Sequence, residues 1–173
     1  NTSSLITKEE YFKAIPDVFY HMDEPTTDAC SIAVYFLSKL ASKDVKVVLS
    51  GEGADEFFGG YNSYDDHPYT KLPLFIRKPI ALICRILPKN KYTRYLIRRG
   101  NSLEASYVSI NRNFYDDEVK KVLSFKDYTK NKDILKPTYK EFKKESELNK
   151  KLAIDIKYWL PDNILNIVDK MTM

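Results

Sequence analysis

Ser50, Glu52, Asp55 and Glu56 stand among Gly51, Gly53, Gly59 and Gly60 in the stretch VVLSGEGADEFFGGY, residues 47–61. The chain has 5 glycines, and all but one lie in this stretch. Glycine there lets a backbone adopt positive φ or approach a ligand closely. Carboxylates beside such a loop would repel a bare polyphosphate, but they suit one reached through Mg²⁺. That ion keeps several waters and takes one or two carboxylates plus phosphate oxygens. Asp55, near the start of a predicted helix, fits such a ligand role. Glu52, further up the loop, could act on a reacting centre as a base or an orienting group. A phosphate loop of the Walker type is excluded, because its terminal Lys-Ser/Thr is absent. A dinucleotide fingerprint fails too, since Glu56 stands where its third glycine belongs. The same residues also fit a plain strand-to-helix connection with capping acids, in which Gly59 and Gly60 end the helix. Residue types alone leave both readings open.

The elements that must position this loop are readable on either side. Thr7 and Glu10 have capping-box spacing, which predicts a helix from about Lys8, kinked or ended by Pro16. Asp28 is the expected N-cap of a second helix, ACSIAVYFLSKLA, which is apolar nearly all round and expected to be buried. VKVVLS then reads as a short buried strand ended by Gly51. Helix, helix, strand, glycine loop, helix is the rhythm of an open α/β sheet, where ligands bind at the carboxyl ends of strands. After residue 62 the chain reads as mostly helical. Helices are predicted over about 73–87, 91–99, 103–112, 115–124, 133–145 and 147–159. In the last of these, Leu148, Leu152, Ile156 and Trp159 recur at helical spacing and are expected to face the core. Pro161 is expected to open a further short helix with Ile164, Leu165, Val168 and Met171 on one face.

Composition narrows the class. An apolar fraction of 43%, with 13 tyrosines and 9 phenylalanines, is enough for a packed core. A net charge of +4 does not by itself call for a nucleic-acid partner. Cys30 and Cys84 lack metal-ligand spacing and read as buried free thiols of a reducing, cytoplasmic setting. No apolar run has the roughly 18 residues needed to span a membrane, and no secretory leader pattern is present at the start. His21 and His67 have no companions that could complete a zinc site. Asp65, Asp66 and His67 read as a polar loop tip. Ser50 lacks the elbow of a serine hydrolase.

Three ordered segments resemble the synthetase domain of glutamine-hydrolysing asparagine synthetases. VVLSGEGADEFFGGY is similar to that family's V-V-L-S-G-E-G-A-D-E-L-F-G-G-Y. DVFYHMDEPTTDACSIAVYFLSKLA resembles the segment before it, and YWLPDNILNIVDKMTM resembles L-P-D-[DN]-x-L-x-x-x-D-[KR]-x-[ST]-M. The likeness is specific over residues 17–64 and 157–173 and weak between them.

It implies a helix-rich α/β piece of a doubly wound parallel-sheet, adenine-nucleotide hydrolase-like domain. Residues 1–62 would be the α/β piece carrying the loop and 63–173 the helical part of one partial domain. The implied reaction adenylates the side-chain carboxylate of aspartate with ATP and Mg²⁺. Ammonia from a glutaminase domain of the same chain then displaces AMP. Carried over by residue, Ser50, Gly51 and Gly53 would meet the adenylate and Glu52 would assist at the activated carboxylate. Asp55 would hold Mg²⁺ on the pyrophosphate side. Thr26 and Thr27 match a stretch near the aspartate pocket, and Asp169 and Lys170 match motif positions without assigned roles. The family's S-G-G-x-D-S loop and its N-terminal nucleophilic cysteine are not among these residues. The chain is therefore expected to be a piece of a longer protein, inactive alone, with a homodimer as its possible assembly. Ile167 departs from the pattern, which often has a basic residue there. Relatives of this domain that build β-lactams or cyclise peptides, and a non-catalytic docking module, are the alternatives.

One further segment stands out. From Tyr69 to Ser102 the chain has nine basic residues and no acid: Lys71, Arg77, Lys78, Arg85, Lys89, Lys91, Arg94, Arg98 and Arg99. A solvated helical pair is the expectation there. The alternatives are a docking face, a nucleic-acid patch or an amphipathic membrane-surface helix.

Overall fold

The computed structural model describes residues 3–23, 28–64, 68–110, 116–125 and 127–173. In chain order the helices are α1 (Lys8–Met22), α2 (Cys30–Ala41), α3 (Ala54–Phe58), α4 (Pro68–Lys71), α5 (Leu74–Cys84) and α6 (Lys91–Arg99). They continue with α7 (Leu103–Ser106), α8 (Asp116–Val122), α9 (Asn131–Glu141), α10 (Glu147–Ile154) and α11 (Asn166–Thr172). A 3₁₀ turn covers Asn62–Tyr64, and a π-helical stretch, Asp155–Leu165, lies between α10 and α11. The chain folds as two compact units, Asn1–Gly53 with Leu160–Met173, and Ala54–Trp159. Among the described residues no helix is long and apolar enough to cross a membrane.

The first unit is built on α1, α2 and α11. Thr7 and Glu10 form the expected capping box at the start of α1. Pro16 lies inside the helix, which runs on to Met22, so of the two expected effects it does not end α1. Ala14, Val18 and Met22, four residues apart, share one face. They pack with Ile32 of α2 and with Ile167 and Met171 of α11. The Asp28 carboxylate accepts the Cys30 N–H at 2.9 Å, so it caps α2 as expected. α2 is less buried than its composition suggested: Ser31 and Ile32 are buried, whereas Leu37 and Cys30 are exposed. Apolar periodicity tells which residues can be buried, not how many faces find a neighbour. Of the two thiols only Cys84 is buried.

The expected strand VKVVLS is irregular chain, and Val47 and Leu49 are 80% and 95% exposed. A strand is stabilised by the ladder to a neighbour, and the described residues include no neighbouring strand.

The second unit has its core at Tyr64, Leu103, Tyr107, Leu135, Tyr139 and Ile154. Beside it α5 and α6 form an antiparallel hairpin. Gly100 closes α6 where a Cβ would stand 2.2 Å from the Ala81 side chain, so only glycine permits this approach. The buried Arg77 donates from its guanidinium to the Arg99 carbonyl at 2.9 Å, and the Tyr69 hydroxyl donates to the Arg77 carbonyl at 3.1 Å.

Several predicted helices are shorter than their apolar pattern. The 103–112 helix stops at Ser106, because Ser109 and the Ile110 N–H hydrogen-bond to Asp155 instead of continuing a helical ladder. The 73–87 helix ends at Cys84, and 133–145 becomes Asn131–Glu141. The 147–159 helix gives way at Asp155 to π geometry, which turns the chain's face. Leu148 is 42% exposed, Leu152 packs against the core, and the fully buried positions are Lys151, Ile154 and Asp155. Pro161 does not start a helix; it sits inside the π stretch, and the core face of α11 is Ile167 and Met171. The wider π turn moves away the carbonyl against which a proline ring clashes in an α-helix. Lys91–Arg99 matches its predicted span. Residues 111–115, which ended one predicted helix and began the next, and the Asp65–His67 tip lie outside the described residues.

Candidate functional site

The motif SGEGADE straddles the two units, Ser50 to Gly53 ending one and Ala54 beginning the other. In the first, Ser50, Gly51 and Glu52 are exposed. Gly53 is buried with φ of 89°, a conformation that strains any residue with a Cβ. Glu52 lies close enough to α2 for its charge to act on Cys30. A hydrogen bond to Asp28 is the main cause that raises the Cys30 thiol above its ordinary value, followed by burial and the charges of Asp28 and Glu52. Partial burial opposes ionisation of Asp28, but hydrogen bonds from Cys30 and from Asn163, the latter at 3.3 Å, hold its carboxyl below the usual value.

The other carried-over positions of this unit are Asp169, Lys170, Thr26 and Thr27. Lys170 donates to the Asp23 carboxylate at 2.5 Å, and this bond with the lysine's charge lowers the Asp23 carboxyl. Asp23 itself has positive φ, 59°, where the chain leaves α1. Asp169 is exposed. Thr26 and Thr27 lie outside the described residues.

In the second unit the acids of α3 divide by role. Glu56 is 1% exposed and accepts the Tyr61 hydroxyl at 2.6 Å. Burial, then this bond, pushes the Tyr61 hydroxyl far above an ordinary phenol. Glu56 is thus spent on holding Tyr61. Asp55 is exposed in the first turn of the helix. A Cβ at Gly60 would stand 1.9 Å from Asp55 Oδ1, and the Gly60 N–H donates to the Asp55 carbonyl at 3.0 Å. Gly59, with φ of 72°, ends α3 as a C′ glycine should. Gly60 therefore leaves the space that the Asp55 carboxylate fills. Among the described residues no group of three acids, histidines or cysteines could by itself hold a metal ion. A lone exposed carboxylate fits an ion that takes its remaining oxygens from phosphate and water, as Mg²⁺ does.

The whole chain, residues 1–173, matches the family model described as asparagine synthase. The chain belongs to the asparagine synthase family. It is 36% identical over its entire length to asparagine synthetase [glutamine-hydrolyzing] 1 of Bacillus subtilis (strain 168), covering 28% of that protein. It is 33% identical to the putative asparagine synthetase [glutamine-hydrolyzing] of Mycobacterium tuberculosis (strain ATCC 25618 / H37Rv), over 99% of this chain and 27% of the relative. A shorter match, 43% over 68 residues, is to asparagine synthetase B [glutamine-hydrolyzing] of Escherichia coli (strain K12), covering 38% of this chain and 12% of the relative. The chain thus spans under a third of the relatives it matches along its length. No solved structure matches it.

One buried constellation in this asparagine synthase chain escapes sequence reading. Asp155 is 0% exposed, and its carboxylate accepts from Tyr64 Oη at 2.8 Å, Ser109 Oγ at 2.8 Å, the Ile110 N–H at 3.0 Å and the Tyr107 hydroxyl. Around it, Lys151 Nζ donates to the Tyr64 carbonyl at 3.0 Å and Tyr139 Oη to the Tyr107 carbonyl at 2.7 Å. The donors lie 45 to 91 residues away in sequence, so no local spacing announces them. An acid interrupting the apolar face of a predicted helix was the one available signal. Burial and the Asp155 carboxylate push the Tyr64 and Tyr107 hydroxyls far above the ordinary value of 10.0. Because the folded values exceed the unfolded one, this stabilisation is complete below pH 10.0 and is lost as pH rises beyond it. Denaturant unfolding followed against pH is expected to show stability falling above that point, with a shallower fall in Tyr107→Phe. An equal fall in both proteins would remove Tyr107 from the account.

Proposed function

We propose that this chain is part of the synthetase domain of an asparagine synthetase, which joins ammonia to the side-chain carboxylate of aspartate at the expense of ATP. The observation that carries the proposal is the full-length family match together with the division of the motif acids. Glu56 is used inside the fold, while Glu52 and Asp55 stay open to a ligand.

In the first step a carboxylate oxygen of aspartate attacks the α-phosphorus of ATP. A new O–P bond forms, the bond to the β-phosphate bridge breaks, and pyrophosphate leaves. Ammonia, supplied from glutamine by a glutaminase domain of the complete protein, then adds to the acyl carbon. AMP departs with the bonding electron pair, nitrogen loses a proton, and asparagine results. Ser50, Gly51 and Gly53 present backbone to the adenylate, and Glu52 orients the carboxylate or takes the proton. Asp55 holds Mg²⁺, which when bound neutralises charge building on the phosphates. Thr26, Thr27, Asp169 and Lys170 are assigned to the substrate side, Lys170 with its charge balanced by Asp23.

In this reading the two units are pieces of one synthetase domain. VKVVLS is a strand of its doubly wound parallel sheet, flanked by strands outside this chain, and the exposed Val47, Val48 and Leu49 are the surface those neighbours cover. The complete protein is placed in the cytoplasm, as a homodimer, without a nucleic-acid or membrane partner. Pyrophosphate release by the full-length protein supplied with ATP and Mg²⁺ tests the reaction. Release is expected to require aspartate, with asparagine forming when glutamine is added. Release that ignores aspartate and follows another carboxylic acid would overturn the assignment.

A further inference from the structure

The second unit holds a groove of about 820 Å³ walled on one side by α6 and its approach and on the other by residues 106–110. Its charged lining is Lys89, Lys91, Arg94, Arg98 and Arg99, and no carboxylate is among the described lining residues. Lys89, Lys91, Arg94 and Arg99 have no carboxylate partner among the described residues. Arg99 is half-buried and so partly deprived of water. Helix energetics accounts for only part of this. Arg98 and Arg99 sit in the last turn, where the helix dipole favours a cation. Lys91 opens the helix, where the dipole opposes it, and no acid occupies that first turn. Positive charge is therefore gathered at both ends of α6, against the helix's own preference at the first turn, in a concavity that focuses its field.

The opposite wall is held from behind by hydrogen bonds. Tyr107, Ser109 and Ile110 line the groove, and all three are fastened to the buried Asp155 behind them. Tyr92, Tyr95 and Leu96 add aromatic and apolar surface. α6 has 9 residues, hence a length of about 14 Å, which suits a compact molecule better than a polymer track. The volume lies within the roughly 300–1,000 Å³ of small-molecule sites.

We propose that this groove is a binding site for a small phosphorylated molecule with a planar or apolar portion. Lys91, Arg94 and Arg99 take the phosphate, and Tyr95, Leu96 and the Tyr107 wall take the body. The site lies entirely in the second unit and needs none of the motif residues assigned to the adenylation reaction.

The test is a fluorescence titration of the full-length protein with 1-naphthyl phosphate, without Mg²⁺. Inorganic phosphate, 1-naphthol and a length series of single-stranded RNA serve as competitors. Saturable binding is expected, tighter for 1-naphthyl phosphate than for either half alone. Lys91→Gln combined with Arg94→Gln, both at exposed positions, should weaken it by about tenfold or more, a loss of at least about 1.4 kcal/mol. Asp55→Asn should leave it unchanged, which separates this site from the Mg²⁺–ATP reading. Absence of saturable binding, an unchanged affinity in the double variant, or loss of binding in Asp55→Asn would overturn the proposal. So would displacement by RNA that strengthens with strand length, which would mark a nucleic-acid groove instead.

Discussion

Asp55→Asn in the full-length protein is expected to lower Mg²⁺-dependent pyrophosphate release by at least about a hundredfold, a loss of roughly 2.7 kcal/mol in the transition state. The expectation rests on what each acid of the motif touches. Glu56 is enclosed and bonded to Tyr61, so its carboxylate is committed within the protein. Asp55 is exposed at the start of α3, over a glycine that leaves its oxygen room. Asparagine keeps one oxygen and the side-chain size but removes the charge, so geometry is preserved while affinity for the ion falls. Raising Mg²⁺ should then restore part of the rate, which a merely structural loss would not permit. Glu56→Gln is the informative contrast: it should lower stability while leaving the Mg²⁺ dependence in place. An Asp55→Asn enzyme with the wild-type rate and Mg²⁺ requirement would remove Asp55 from the metal site.

Asp155→Leu should be the most damaging single change to the fold of the second unit. The carboxylate is the common acceptor for two tyrosine hydroxyls, one serine hydroxyl and one backbone N–H. Removing it leaves those donors buried without an acceptor, which costs about 1–3 kcal/mol for each group so orphaned. Asp155→Asn, which keeps one carbonyl acceptor, should lose about 1–3 kcal/mol. Urea unfolding of the full-length protein, read by tyrosine fluorescence, measures both. The Lys157–Glu141 pair, 3.8 Å apart with both side chains at least half exposed, is the control, and its loss should cost less than about 1 kcal/mol. A cost for Asp155→Leu no larger than for that surface pair would mean that the buried network contributes nothing net.

Legibility in the sequence followed the range of the interactions involved. The Thr7–Glu10 box, the Asp28 cap, the span of α6 and the Gly59 turn were all readable, because each is settled by residues within about four positions. The early stop of the 103–112 helix was not readable, since its competitor, Asp155, lies some 45 residues downstream. The same holds for the face of the last predicted core helix. Apolar spacing chose Leu148 and Leu152 there; Leu152 packs against the core, Leu148 is exposed, and the fully buried positions of α10 are Lys151 and Ile154.

The motif's chemistry divides along the same line. SGEGADE, with its order of glycines and acids, was sufficient to single out the loop and the family it resembles. Which acid stays open to a ligand was decided by folding, because Glu56 is buried against a tyrosine hydroxyl, while exposed Asp55 has its carboxylate over Gly60. The sequence by itself determined local turns, caps and the composition of the loop, since these depend on neighbours along the chain. Only the tertiary structure decided which carboxylates are committed to the fold and which cations face a common groove. Burial and desolvation belong to surfaces brought together from distant residues, and no short window of sequence contains them.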